Sequence, residues 1–487
     1  MKKCLVVTVA LSAIIAAGCS KSGAKDYNLY WFNAKGENAA QVAAMAKAYE
    51  KETGVKVKTF SIGAGAEQQS PMIAEMSSKN PPTIYSIQGI KNLAMWLDGG
   101  YVVDLSTVAD PAFKKLINDI PEGLRMSLGG STSYGIPYNI EGYGFIVDRQ
   151  MISDLFGEAN GAAALAGIQA ASWDEWQNFV ITVENWITTP QAAQVTLGGK
   201  QFTLTGEKTP LTAKLNGIFV MMGAETWTYG DHFINIPLNA SFDSLEEALK
   251  VSDEKFIALR NPLIEYAKAV DFKSSHLAGK NGPAARGQDL VSAANFGYDQ
   301  AIQIFAEGKA LFLKQGNWAY NNINNVDKGV AERLWFVPCK MPFKQSDIIA
   351  QDMTVEKLER SIPVFVPNYY AVNAMSSPEE QKAAYDFLVW MNTSPTGQKF
   401  IIEDMAFIPY NADPAKTVVP NSLGNSIIDY MKNGNTLQGI FLAVPQVWPG
   451  EVVGAFIREQ YLTKPTWEDA DYGRIADFAI EKWREMN

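Results

Sequence analysis

Residues 27–59 read YNLYWFNAKGENAAQVAAMAKAYEKETGVKVKT. The apolar-aromatic run 27–32 predicts a strand. Residues 38–53 follow with apolar Val42, Met45, Ala46 and Tyr49 at three-to-four spacing, which predicts a helix, and Gly54 supplies its stop. Val55, Val57 and Thr59 then alternate with Lys56 and Lys58, a strand with one wet face. The pattern repeats downstream: a helix over 67–79 broken by Pro81-Pro82, a strand over 83–87, and a short helix over 91–97 ending at Gly99-Gly100. Strand-helix alternation with short loops predicts an α/β layer with largely parallel strands.

Further along, residues 134–148 are extended, aromatic and Gly-rich around Pro137. Ser172-Trp-Asp-Glu175 is a capping box opening a helix to 187. Residues 194–205 alternate around Gly198-Gly199 and predict a β-hairpin. The apolar run 211–222 predicts a helix, and 235–252 is too mixed to assign. A helix over 301–305 leads through Gly308 into a strand over 310–313, and 361–372 is extended. Ser377 and Pro378 start a helix as N-cap and N1 residue. Helices over 451–462 and 467–486 close the chain. Asp469-Ala-Asp471-Tyr-Gly473 has the wrong spacing for a calcium loop and predicts a wet helix face.

The 487 residues suggest two or three domains, and 47% hydrophobic with 19% charged residues excludes a disordered chain. A formal charge of −10 argues against nucleic acid, whose phosphates need a basic surplus. Two histidines, His232 and His276, cannot make a His-rich metal site, so no metal or cofactor is expected. There is no phosphate-binding G-x-x-x-x-G-K-[ST] loop, no C-x-x-C and no G-x-S-x-G.

The N-terminus carries an export signal over 1–18: Lys2 and Lys3, then an apolar stretch over 5–17 too short to span a bilayer. Small residues before Cys19 resemble a bacterial lipobox, although Ala16 stands where that pattern usually has Leu. The resemblance implies a lipidated Cys19 anchoring the chain at the bacterial cell envelope, with 19–26 as a polar tether. A plain secretory signal with an incidental Cys19 is the alternative. With Cys4 removed and Cys19 acylated, Cys339 is alone and no intrachain disulfide forms.

Four stretches together resemble the extracellular solute-binding proteins of ABC importers, the sugar-binding family that includes maltose-binding protein. Tyr49-Glu-Lys-Glu-Thr-Gly-Val-Lys-Val57 is similar to the family's FEKETGIKV segment. Tyr134-Gly-Ile-Pro-Tyr-Asn-Ile-Glu141 and Asp148 are similar to its Y-x-x-P stretch and following strand. Phe305, Gly308, Lys309, Gly316 and Trp318 match its F-x-x-G-K and G-x-W pattern. Residues 374–388 are similar to its S-K-N-K-E-x-A-x-x-F-L helix. Residues 188–260 are poorly covered.

The resemblance implies a two-lobe periplasmic-binding-protein-like α/β fold with a ligand cleft between the lobes. Lobe 1 is then 27–140 plus 369–410. Lobe 2 is 141–368, with the closing helices of 411–487 mostly added to it. Crossings are expected near Ile140 and Glu141, at 367–370, and after Pro409. The implied function is to capture a sugar or oligosaccharide and deliver it to a membrane permease by hinge closure. The protein would act as a monomer and not as an enzyme. A sugar site needs flat aromatics for CH faces and amide or carboxylate groups for hydroxyls. Trp31, Asn33, Glu141, Trp227, Asn317, Trp318, Tyr369 and Trp448 are the expected ligand contacts on this ground. An acidic, Trp-rich chain favours a neutral glycan over an anionic one. The alternative is a surface lipoprotein glycoside hydrolase using paired carboxylates among Glu141, Glu225 and Glu451.

If Cys19 is acylated, the mature protein partitions with membranes and takes up labelled fatty acid, whereas Cys19→Ser protein is released or left unprocessed. Equal release of both forms would remove the lipid anchor.

Overall fold

The computed structural model describes residues 25–64, 66–121, 124–127 and 131–486. The expected signal over 1–18, Cys19 and the tether up to residue 24 lie outside the described residues.

The first strand, Leu29–Asn33, is buried along its whole length. It lies between Val57–Ser61 and Ile84–Gln88, parallel to both. Leu29 and Trp31 enter one core and Phe32 the opposite one, so the strand is covered on both faces. The helix Ala39–Thr53 buries Val42, Met45, Ala46 and Tyr49 against it. The helix stops where Gly54 turns to a φ of 77° and donates its N–H to the Glu50 carbonyl. Two later strands complete this five-stranded sheet: Asn368–Val372, antiparallel to Ile84–Gln88, and Ile136–Pro137 at the edge.

The second sheet has eight strands around Glu141–Asp148. That strand pairs antiparallel with Ala310–Gly316, with Leu334–Val337 and, at its start, with Ile362–Phe365. The chain passes from sheet to sheet at Asn139 and Ile140, where Ile140 bridges Ile408 and donates to its carbonyl at 2.8 Å. It passes back between Phe365 and Asn368, and again beyond Ile408. Each lobe is thus assembled from separate stretches of chain. Among the described residues, no helix is long and apolar enough to cross a membrane.

The capping box at Ser172, the helix start at Ser377-Pro378 and the hairpin through Gly198-Gly199 form as the sequence predicts, and Glu380 closes a further capping box on Ser377. Three elements differ. The stretch 211–222 holds a single 3-10 turn, Thr212–Lys214, and then the strand Gly217–Val220, buried throughout. A short apolar run has no period that separates strand from helix. Gly217 marks the answer, because a Cβ there would sit 2.4 Å from the Ala278 nitrogen on the neighbouring strand.

The second difference is Asp231–Ser241, a helix in which every residue after Asp231 is buried. Its polar residues work inward. The Asn235 amide donates to the Gln438 carbonyl at 2.9 Å and accepts from Phe441 N–H at 3.0 Å. Asn239 bonds the Gln438 backbone in the same way. Third, Asp471 is not on a wet face: it is buried and takes Lys464 at 3.0 Å and Arg474 at 2.8 Å.

Trp448 is 0% exposed, donates its indole N–H to the Ala479 carbonyl at 2.7 Å and lies 4.6 Å from the Trp483 ring. Trp448→Ala should therefore lower unfolding free energy by about 3–5 kcal/mol, the usual range for emptying a buried aromatic site. Urea unfolding checks this; a midpoint unchanged from wild type would show that the ring is not core.

Candidate functional site

Strand ends build the cavity between the lobes. From the first lobe come Lys35 and Glu37, just past Leu29–Asn33, and Gln88 at the end of Ile84–Gln88. Glu141 opens the central strand of the second sheet, and Trp318 follows the end of Ala310–Gly316. The segment 224–232 and the neighbourhood of Phe441 and Glu451 supply the rest of the second lobe's wall. The cavity measures about 320 Å³, and ligand crevices of α/β sheets lie at such strand ends.

Its wall is aromatic. Trp318 and Trp227 are half-buried, 6.4 Å apart and inclined at 56°. His232 lies 5.1 Å from each, with its other side stacked on Tyr143 at 4.4 Å. Trp318 folds back over Gly316, where a Cβ would meet its ring carbons at 2.0–2.4 Å. Glycine is therefore needed for the ring to lie there.

Beside the rings stands an ion pair. Lys35 Nζ reaches Glu141 Oε1 at 2.6 Å and lies 5.9 Å from the Trp318 ring centre. The Asn139 amide donates to the same Oε1 at 3.1 Å. Burial, reinforced by the Glu141 charge and opposed by Lys35, raises the Glu37 carboxyl to about 7. Burial also raises Asp231 to about 7, with Glu451 adding and the helix N–H and Lys314 opposing. Glu225 and Glu451 are raised by burial too, and Glu451 additionally by Glu67 from the other lobe. Burial holds His232 far below its ordinary value, helped by Lys314 and Lys35, so its imidazole is neutral.

Of the eight sequence-predicted contacts, Glu141, Trp227 and Trp318 line this cavity. Asn33 and Asn317 lie behind it. Asn33 donates to the Lys35 carbonyl at 2.8 Å and accepts from Lys35 N–H at 3.0 Å, fastening the loop that presents the lysine. Asn317 accepts from Gly142 N–H at 3.1 Å. Trp31 is enclosed between Tyr370 and Phe387, and Trp448 against Trp483; neither lines the cavity. Tyr369 points to the lobe 1 core, while its neighbour Asn368 lines the cavity, as alternation along a strand requires.

Lys35, Glu37, Asp231 and His232 line the cavity without being among the sequence-predicted contacts. Lys35 and Glu37 lay in plain view two and four residues beyond a strand end, and His232 is one of two histidines. Asp231 had no local signal. Among the described residues, no three His, Cys, Asp or Glu side chains are placed to hold a metal ion.

The Asp231 carboxyl has an ordinary value of 3.8 and a folded value of about 7. Such a group contributes stability that is complete below the lower value and lost as pH rises through the higher one. Asp231→Asn should therefore flatten the fall in melting temperature between pH 5 and pH 8. Parallel curves for variant and wild type would show that Asp231 ionises normally in the fold.

No curated protein sequence matches the chain. Its fold is similar to several solved structures. A chitin oligosaccharide binding protein has 14% identity and a TM-score of 0.61, with 94% of this chain and 98% of that one covered. A sugar transporter from Bacillus licheniformis in complex with stachyose has 13% identity and a TM-score of 0.60, covering 94% and 100%. The maltose/maltodextrin-binding domain MalE from Bdellovibrio bacteriovorus, bound to maltotriose, has 15% and 0.55, covering 94% and 99%. At these identities the likeness is one of fold. The family model described as bacterial extracellular solute-binding protein matches residues 44–423, well over half the chain. With two lobes, a cleft built at strand ends and that match, the chain belongs to the bacterial extracellular solute-binding proteins.

Proposed function

We propose that this protein captures a sugar or oligosaccharide outside the cytoplasm and hands it to an ABC-type permease. The observation that carries the reading is the pairing of two inclined indoles, Trp227 and Trp318, with the Lys35–Glu141 ion pair in one inter-lobe cavity. Indole faces suit the CH faces of a pyranose, and carboxylate, ammonium and amide edges suit its hydroxyls. The ligands of the similar structures, chitin oligosaccharide, stachyose and maltotriose, support a saccharide. The glycoside hydrolase alternative gains nothing from the family or from these structures.

In this reading lobe 1 is 27–140 plus 369–410 and lobe 2 is 141–368 plus most of 411–487. The three crossings act as the hinge. A solute held by both lobes binds the closed form better than the open one and shifts the population by that difference. Closure presents a joint surface that a permease can recognise. The protein works as a monomer, tethered through lipid on Cys19.

Trp318→Ala should weaken saccharide binding by roughly 1–3 kcal/mol, the scale of one aromatic contact, with the melting temperature nearly kept. Calorimetry with maltotriose, stachyose and chitin oligosaccharides measures the loss. Scattering on the same samples should give a smaller radius of gyration with ligand bound. Failure of every saccharide to bind would sink the proposal; binding without compaction would remove hinge closure from it.

A further inference from the structure

The charges of the cavity wall are unbalanced. Six carboxyl groups line it: Glu37 and Glu67 from the first lobe, Glu141 at the crossing, and Glu225, Asp231 and Glu451 from the second. Among the described lining residues the only Lys or Arg is Lys35, and it is committed to Glu141 at 2.6 Å. The remaining five carboxyl groups make no ion pair among the described residues; Lys35, Arg458 and Lys314 act on Glu37, Glu225 and Asp231 only from a distance. His232 is neutral and adds no positive charge.

Such a wall discriminates. When the lobes close on a neutral solute, the carboxylates lose water and gain no counter-charge, which is costly. Glu67 and Glu451 stand on opposite lobes near enough for the charge of Glu67 to raise Glu451, so closure brings like charges together. A cation between the lobes turns that repulsion into attraction. The indole faces of Trp227 and Trp318 add to it, because an aromatic face attracts a cation within about 6 Å.

A second feature marks a ligand position. His232 lines the cavity, is only 9% exposed, and its Nδ1 has no hydrogen-bond partner among the described residues. A buried polar atom of this kind awaits a partner. A neutral imidazole accepts from or donates to an ammonium-bearing or hydroxyl-bearing ligand equally well. The carboxylates are also too dispersed for a metal: among the described residues no metal-holding group forms. The geometry calls for a cation that extends across the cavity.

We propose that the cleft selects solutes bearing protonated amines, in the form of amino-sugars or amine-bearing oligosaccharides, over neutral saccharides of the same size. This rests on the saccharide reading above and names its substrate class.

Calorimetry at neutral pH and low salt tests it with four probes: the trisaccharide of glucosamine, its fully N-acetylated counterpart, maltotriose and spermidine. The two glucosamine probes share a backbone and differ in acetylation, hence in charge. The amine form should bind roughly tenfold or more tightly than the acetylated form, as charge complementarity of this kind allows. High salt should shrink that preference. So should the double variant Asp231→Asn, Glu451→Gln. Glu451→Gln alone, at an exposed rim position, serves if the double variant does not fold. Equal or tighter binding of the acetylated trimer or maltotriose overturns the inference and leaves saccharide capture standing. Spermidine binding without any saccharide binding keeps the charge selection and removes the saccharide reading. No binding of either cationic probe overturns the inference, as does a preference that survives charge removal undiminished.

Discussion

Lys35 and Glu141 meet at 2.6 Å in the floor of the cleft, one from the loop after the first strand, the other from the first residue of the second sheet's central strand. Glu141 is 2% exposed and Lys35 nearly as buried. Removing either partner would strand a buried charge, at a cost of several kcal/mol. The pair therefore ties the two lobes together at the point where the chain crosses between them. Asn33 clamps the backbone of Lys35, Asn139 donates to the same carboxylate oxygen, and Trp318 lies over the lysine. The aromatic wall is oriented from this floor.

Around that pair, the cleft draws on both sheets because strand ends converge on it. The first lobe contributes short polar loops at the ends of parallel strands. The second contributes larger side chains from a crowded interior: His232 is wedged between Tyr143, Trp227, Trp318 and Phe441. The acidity of the wall is not the average acidity of the surface transplanted inward, since burial and mutual repulsion raise several of its carboxyls.

The tryptophans show how tertiary context divides one residue type. Trp31 and Trp448 fill cores and hydrogen-bonded pockets, whereas Trp227 and Trp318 keep part of their faces on the cavity. Trp31 lies between Tyr30 and Phe32, Trp448 between Val447 and Pro449, Trp227 between two threonines and Trp318 between Asn317 and Ala319, and none of these neighbours tells which ring reaches the cavity. What separates them is which side of a strand or loop faces the other lobe.

Much of the fold was legible because local physics decides it. The short apolar-aromatic run of Leu29–Asn33, the apolar stripe of Ala39–Thr53, the left-handed Gly54, and the capping boxes at Ser172 and Ser377 each need only neighbouring residues. The F-x-x-G-K and G-x-W matches around Trp318 carried the family in the same way, and Gly316 makes room for the ring within that motif. Other features depend on partners far along the chain. Gly217–Val220 is a strand because Ala310–Gly316 and Leu277–Ala278 flank it, and Asp231–Ser241 is a core helix because Gln438 and Phe441 take up its asparagines. The composition of the cleft belongs to this second class. Lys35, Glu141, Asp231, His232 and Glu451 are spread over more than four hundred residues, and only the packing of two lobes puts their charges on one wall. Sequence alone sets periodicity, caps and motif; the convergence of distant side chains is set by tertiary packing, because electrostatic and hydrogen-bond partners are chosen by distance in space.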